Sequence, residues 1–293
     1  MARVSIIVAA LLLFHGAVPS AGLLETFLPW LGLAIPLLLA RAWFRSLRAL
    51  VVALLPLVVW LGLFGDRLLP ASTGPHQLVA VQHNVSDENP DPAGTARALL
   101  RSGPDLIGLE EIVPAALPAY EEALRATHPH SAVHGTVALW SRHPLVESGP
   151  LDIRPRSLGA DWNRGLRAVA RTPHGDIAVY VVHLPSVRLN PAGFDTARRD
   201  ESGRKLAAAL AAEPLHRILL LGDLNSTVDD RVLTPVLSRL NTSDSRFAFS
   251  WPAATPLARI DHVMAGGMTV LDVRTLPRTG SDHLPVAAHL HVP

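Results

Sequence analysis

Cysteine is absent from this 293-residue chain, which excludes disulfides, thiolate nucleophiles and Cys-ligated zinc. Lysine is almost absent too: Lys205 stands alone, and arginine carries nearly all the positive charge. The formal net charge is +1 and no dense basic run occurs, so no global field or basic stripe points to nucleic acid. Aromatic residues make up only 5%, leaving few platforms on which bases could stack. There is no Gly-x-Ser-x-Gly elbow, no Gly-rich phosphate loop ending in Lys, and no His-Glu-x-x-His pair. The 14 histidines are scattered without the local spacing of a zinc site. Repeats and low-complexity tracts are missing as well.

Long apolar runs, by contrast, crowd the front of the chain. Val4–Leu24, Phe27–Trp43 and Leu47–Phe64 approach the roughly 17–25 residues that a helix needs to cross a bilayer. The expectation is a membrane anchor of three transmembrane helices over 1–64, a linker over 65–76 and a soluble domain over 77–293. Arg41, Arg45 and Arg48 form the basic turn after the second run, whereas the turn after the first carries Glu25. By the positive-inside rule the basic turn is cytoplasmic, which makes the protein multi-pass with its soluble domain extracytoplasmic. A rival reading treats Met1–Ala21 as a cleaved signal peptide. His15, without an intramembrane carboxylate, reads as a lone polar residue.

From Leu78 onward, short β-branched runs alternate with segments of helical spacing. Strands are expected near 78–85, 105–112, 136–140, 166–171, 176–182, 217–221, 259–265, 269–275 and 286–292, with helices near 93–101, 118–127 and 196–212. Such mixing indicates an α/β or α+β domain around packed sheets. Polar residues recur at or just beyond the strand ends: Asn84, Glu111, His183, Asp223, Asn225, Asp261, Asp282 and His283. If those ends converge, one rim collects carboxylates, amides and imidazoles.

Each segment has a plain reading and a chemical one. Leu219-Leu-Leu-Gly-Asp-Leu-Asn225 is either an Asx turn after a strand or a carboxylate and an amide set on one side by period-2 alternation. Gly280-Ser-Asp-His-Leu-Pro285 is a loop, or it supplies a metal ligand and a proton-transfer group. Asp261 is costly to bury unless paired, and it can orient an imidazole; His262 alternates to the other face as a structural residue. Glu111 suits a hard cation, with Glu110 pointing away. Glu111 and His183 could each be no more than a structural cap.

In this order and spacing the segments resemble the endonuclease/exonuclease/phosphatase superfamily, over about three quarters of the chain. The matching motifs are His83-Asn84-Val85, Glu110-Glu111, His183-Leu184, Gly222-Asp-Leu-Asn225, Asp261-His262 and Ser281-Asp-His283, with Leu139-Trp-Ser-Arg-His-Pro-Leu145 between. The resemblance implies a four-layered α/β sandwich of two central sheets flanked by helices. It also implies Mg²⁺ (or Mn²⁺) held by Asn84 and Glu111 with help from Asp282. Asp223 and Asn225 would position water and phosphate, His283 oriented by Asp261 would serve as base or acid, and His183 would bond the phosphate. Glu110 departs from the usual Gln and would add charge beside the metal, and no carboxylate that would orient His183 is evident. With its three apolar runs the chain looks most like the membrane-bound teicoplanin-resistance group of actinobacteria. That likeness implies a phosphorylated lipid such as undecaprenyl pyrophosphate as substrate and the membrane as partner. The alternatives are a membrane-anchored nuclease acting on nucleic acid, a sphingomyelinase-like phospholipase, or a non-catalytic binding protein of this fold.

Overall fold

Gly, Pro and Asx residues punctuate the soluble part into strands β1 (Leu78–Asn84), β2 (Leu106–Glu110), β3 (His130–His134), β4 (Val137–Ser141), β5 (Leu145–Pro150), β6 (Gly165–Thr172), β7 (Gly175–His183), β8 (Arg188–Asn190), β9 (Gly193–Asp195), β10 (Ile218–Asp223), β11 (Asp261–Gly266), β12 (Thr269–Thr275) and β13 (Val286–His291). The computed structural model describes residues 2–17, 25–69, 74–190, 193–243 and 246–293. One mixed sheet runs β12-β13-β1-β2-β4-β3, a second runs β11-β10-β7-β6-β5, and β8 and β9 form a separate hairpin. Sequence periodicity does not anticipate β3, β5, β8 or β9. The first two are mostly half-exposed or exposed, and the other two span three residues each, too short to show a period.

Three apolar clusters account for the layering. Leu106, Val179, Leu219, Leu221 and Val286 belong to the core between the two sheets. On the outer face of the second sheet, Leu206 and Leu210 of the helix Ala197–Ala212 cover Tyr180 and Leu220. On the outer face of the first, Leu99 and Tyr120 from helices Pro92–Leu100 and Leu117–Leu124 cover Ile107 and Trp140. The order is therefore helix, sheet, sheet, helix, as the resemblance implied. Asp91 caps the first of these helices by accepting from Gly94 N–H at 2.8 Å, with Pro92 opening the helix, an arrangement that satisfies donors left free by the first turn.

Gly222 sits where β10 passes β7. A Cβ there would collide with the carbonyl oxygen of Val182, so glycine is required by close approach. Gly222→Ala is expected to destabilise the fold by roughly 1–3 kcal/mol, the usual range for overpacking. Thermal unfolding tests this, and an unchanged midpoint would reject it.

The front of the chain departs from expectation. Among the described residues only Leu47–Leu68 is long and apolar enough to cross a membrane. The first helix, Ala2–Phe14, has 13 residues, about 20 Å at 1.5 Å per residue, against a hydrocarbon core of about 30 Å. The second run opens as a 3-10 turn, Leu28–Leu33, with Pro29 near its start, and continues as a 10-residue helix, Ala34–Trp43. Among the described residues three transmembrane helices do not form, and the multi-pass membrane topology with an extracytoplasmic domain loses its basis. Most of the proposed signal-peptide exit, residues 18–21, lies outside the described residues, as do residues 70–73 of the expected linker.

Nor does this front layer stand apart from the sandwich. Glu25, expected in the turn after the first apolar run, is buried and pairs with Arg231 at 3.1 Å. Arg67 makes a two-pronged contact with Asp229 at 3.1 and 3.2 Å. Trp30 donates its indole N–H to the Leu257 carbonyl at 2.7 Å and stacks on Phe249 with ring centroids 5.4 Å apart.

Candidate active site

Each sheet contains one parallel pair, β1–β2 in the first and β7–β10 in the second. A parallel pair needs a crossover, and here the helices Pro92–Leu100 and Ala197–Ala212 lie in those connections. Both strands of such a pair end at the same edge. Register then sets Asn84 opposite Glu110, and Asp223 between His183 on one side and Asp261 on the other. A cavity of about 400 Å³ opens at this rim, lined by Asn84, Glu111, His183 and Asp223 together with Asn225, Asp282 and His283. Asp261 lies beneath it, fully buried, and Asp282 is at the exposed edge.

Two of these residues are aimed by unusual backbone. Glu111 has φ 61° and Asn225 φ 46°, the left-handed region that non-glycine residues seldom occupy and that gathers at functional sites. Glu111 is turned out at the end of β2 between two anchoring bonds, Val85 N–H to Glu110 O and Ile112 N–H to Thr136 O, both 3.0 Å. Asn225 does not reach the site by strand alternation, because β10 ends at Asp223. A left-handed turn carries it there, its backbone N–H donating to Asp223 Oδ1 and its Nδ2 to the Leu184 carbonyl, each at 2.9 Å.

His283 Nδ1 and Asp261 Oδ2 are 2.8 Å apart, so Nδ1–H donates to the carboxylate and Nε2 is left 3.8 Å from Asp223 Oδ2. Burial works to lower the His283 pKa, but the carboxylates of Asp261 and Asp223 prevail and push it up to about 10. Burial likewise opposes ionisation of Asp261, yet His283 holds it below the usual carboxylate range. The pair is thus an imidazolium–carboxylate unit. Gln82 Nε2 braces it from below, donating to Asp261 Oδ1 at 3.0 Å and to Glu110 Oε2 at 2.8 Å.

His183 behaves in the opposite way. Burial, followed by the charge of Arg164, holds it well below its ordinary value, so its ring is neutral. Arg164 Nη1 lies 3.1 Å from Nδ1 and 3.4 Å from Nε2, and Nε2 lies 3.6 Å from Asp223 Oδ2 and 3.8 Å from Glu111 Oε1.

Asp223, Asp261 and His283 place ligand atoms within 4.8 Å of one another, a cluster able to coordinate a divalent cation. Asp261 already uses both oxygens on His283 and Gln82, so the cavity-facing oxygens come from Asp223, Glu111 and Asp282. Hard oxygen donors of this kind suit Mg²⁺ or Mn²⁺. Burial pushes Asp223 up to about 7; His283 opposes the shift and Asp261 adds to it. A cation beside it would offset that crowding of negative charge. Asn84 as placed does not offer its oxygen: Nδ2 donates to Asp223 Oδ2 at 3.1 Å, while Oδ1 accepts from Ser86 N–H. It steers the carboxylate.

The signature of the Endonuclease/Exonuclease/phosphatase family matches residues 81–283. The chain belongs to that family. No curated protein sequence matches it. Among solved structures it is similar to sphingomyelinase C from Streptomyces griseocarneus, at 20% identity and TM-score 0.55 over 74% of this chain and 99% of that one. It is also similar to an endonuclease/exonuclease/phosphatase from Beutenbergia cavernae, at 20% identity and TM-score 0.56 over 74% and 72%. A third is a Staphylococcus aureus beta toxin mutant with bound magnesium ions, at 14% identity and TM-score 0.55 over 72% and 99%. None of these three is a teicoplanin-resistance protein by name.

As a member of this family, carrying a cluster able to hold a divalent cation, the chain is a metal-dependent phosphoesterase. Burial first, then the charges of Asp261 and Asp223, push the Glu110 carboxyl well above the usual range, which works against the extra charge expected from its departure. His262 is buried, with Nε2 2.8 Å from the Ser226 carbonyl, and takes no part in the cavity. Two contributions escape sequence reasoning. Arg164, at the head of β6, lines the cavity beside His183; the strand-end rule that singled out the acids would have reached it had it been applied to cations. Thr26 and Phe27 line it from the front layer, and nothing local to those residues signals a contact with strands so distant in sequence.

Proposed function

We propose that the chain hydrolyses a phosphoester in the headgroup of a phosphorylated lipid, with Mg²⁺ or Mn²⁺ held by Glu111 and Asp223 and with Asp282 at the rim. The observation that carries this reading is the meeting of a carboxylate pair, a neutral imidazole, an imidazolium–carboxylate unit and a guanidinium in one cavity. The cation would supply Lewis-acid neutralisation of the phosphate oxygens. Arg164 and His183 receive the phosphate as negative charge builds in the transition state. Asn225 holds its orientation. His283, charged at rest, gives its Nε2 proton to the leaving oxygen and regains one from the attacking water, while Asp261 holds the imidazolium through Nδ1.

Likeness to sphingomyelinase C supports a phosphodiester in a lipid headgroup ahead of the lipid-linked pyrophosphate that the apolar front first suggested. The magnesium-bearing beta toxin supports the choice of cation. Nucleic acid is the weaker partner, since among the described residues Arg164 is the only lysine or arginine lining the cavity and a polyanion track needs several. The test is release of product by the full chain with Mg²⁺ from sphingomyelin, undecaprenyl pyrophosphate and DNA. Turnover of sphingomyelin is expected. Turnover of undecaprenyl pyrophosphate alone would move the reading to an anhydride, and cleavage of DNA alone would overturn the lipid assignment.

A further inference from the structure

Beside the active site lies a second cavity of about 390 Å³, between the front layer and the segment 247–249. Its walls include Trp30, Leu33, Ile35, Leu57, Trp60 and Phe249, and among the described residues no charged or hydroxylated side chain lines it. The two indole N–H groups are both spent elsewhere: Trp30 donates to the Leu257 carbonyl at 2.7 Å and Trp60 to the Pro29 carbonyl at 2.8 Å. Nothing in the lumen therefore invites a polar ligand, while a hydrocarbon would meet aromatic and aliphatic surface on several sides.

Position relates this cavity to the chemistry. Thr26 and Phe27 line the catalytic cavity, and Pro29 and Trp30 line the apolar one. Two residues of extended chain span at most about 7 Å, so a single thin stretch separates the two spaces. Phe249 and Trp251, two residues apart on the facing segment, divide in the same way. A ligand that filled both would carry a phosphate at one end and an apolar chain at the other.

The mouth of the apolar cavity faces apolar surface. Leu33 lines it and is itself 64% exposed, with Leu37 at 73% nearby in sequence. Leu57 and Trp60 belong to Leu47–Leu68, the stretch long enough to cross a bilayer, of which only 17% is buried. A core helix would be mostly covered. Exposed apolar area on this scale marks a surface whose natural cover is itself apolar.

From these juxtapositions we infer that the Trp30–Trp60–Phe249 cavity holds a hydrocarbon chain of a membrane phospholipid while its headgroup phosphate enters the catalytic cavity. This rests on the lipid reading above. The front layer is then part of the substrate site, and discrimination between lipids and water-soluble phosphoesters is built by residues outside the sandwich.

The experiment uses the full chain in amphipol, with hexyl-, octyl- and decylphosphocholine below their micellar concentrations as probes, titrated by calorimetry. Each methylene that enters an apolar cavity tightens binding about fourfold, so affinity should climb steeply along the series in the parent protein. Leu57→Trp fills the lumen and should flatten that climb by at least tenfold at decyl. Leu33→Trp narrows the mouth and gives a second variant if the first unfolds. The thermal unfolding midpoint of each variant verifies that it is folded. An equally steep series in a folded, filled variant would overturn the tail site and move the chain to bulk lipid or to another copy's surface. Failure of the parent protein to hydrolyse any phosphoester would instead sink the proposed reaction, and the binding series would still decide the cavity.

Discussion

Replacing His283 by alanine is expected to lower kcat by about 10²–10⁴-fold, the usual value of a positioned proton-transfer group. Asp261→Asn should also be slow, because the 2.8 Å bond from His283 Nδ1 sets the tautomer and stabilises the imidazolium. The two losses should be far from multiplicative, since residues acting as a unit forfeit most of their value with the first removal. Asn225→Ala is the control. Its amide is tied to the Leu184 carbonyl rather than to the His283–Asp261 pair, and its cost should combine nearly additively with either. Single and double variants, each verified as folded, decide the matter through kcat. Near-normal turnover in His283→Ala, or simple multiplication with Asp261→Asn, would remove this pair from the chemistry.

Glu111 should be nearly as costly to lose. Its side chain is turned into the cavity by a left-handed backbone and comes within 3.8 Å of His183 Nε2, facing the same space as Asp223. If it holds the cation, chelation abolishes turnover and Mg²⁺ or Mn²⁺ restores it. Glu111→Ala should then forfeit several kcal/mol of charge stabilisation, on the order of 10³-fold in rate, and require far more Mg²⁺ for half-maximal activity. Full turnover of Glu111→Ala in the presence of chelator would end the metal assignment at this residue.

The strand ends were readable in advance because an apolar run leaves a polar residue nowhere to go except its terminus. Asn84, His183 and Asp223 are cases in which a single local pattern suffices, since burying such groups unpaired inside a strand is expensive. Asn225 was placed at the site for the wrong reason. Alternation past Asp223 required the strand to continue, whereas the chain breaks into a left-handed turn held by the Asp223 carboxylate. Asn84 was expected to face a cation, yet its amide turns its N–H toward Asp223, a choice made by Ser86 N–H competing for the oxygen. The first two apolar runs misled because hydropathy measures composition alone. Among the described residues, a 13-residue helix and a 3-10 segment opening at Leu28 can be as apolar as a membrane span and still be too short to make one.

What the order of residues determines by itself is an α/β or α+β domain around packed sheets and the polar groups at its strand ends, which follow from short-range periodicity and from the cost of burying polar atoms. The two-sheet sandwich came from the family resemblance, and the gathering of those ends at one rim from the strand register. Tertiary structure alone decided the rest. The Glu110 carboxyl is pushed well above its usual range because burial near Asp261 and Asp223 makes its ionisation expensive, a property that a position in a string does not possess. Arg164 meets His183 across 19 residues, and Trp30 meets Leu257 across 227. Such contacts depend on how layers dock. Docking is set by the sum of many weak apolar contacts across surfaces, and no single segment encodes that sum.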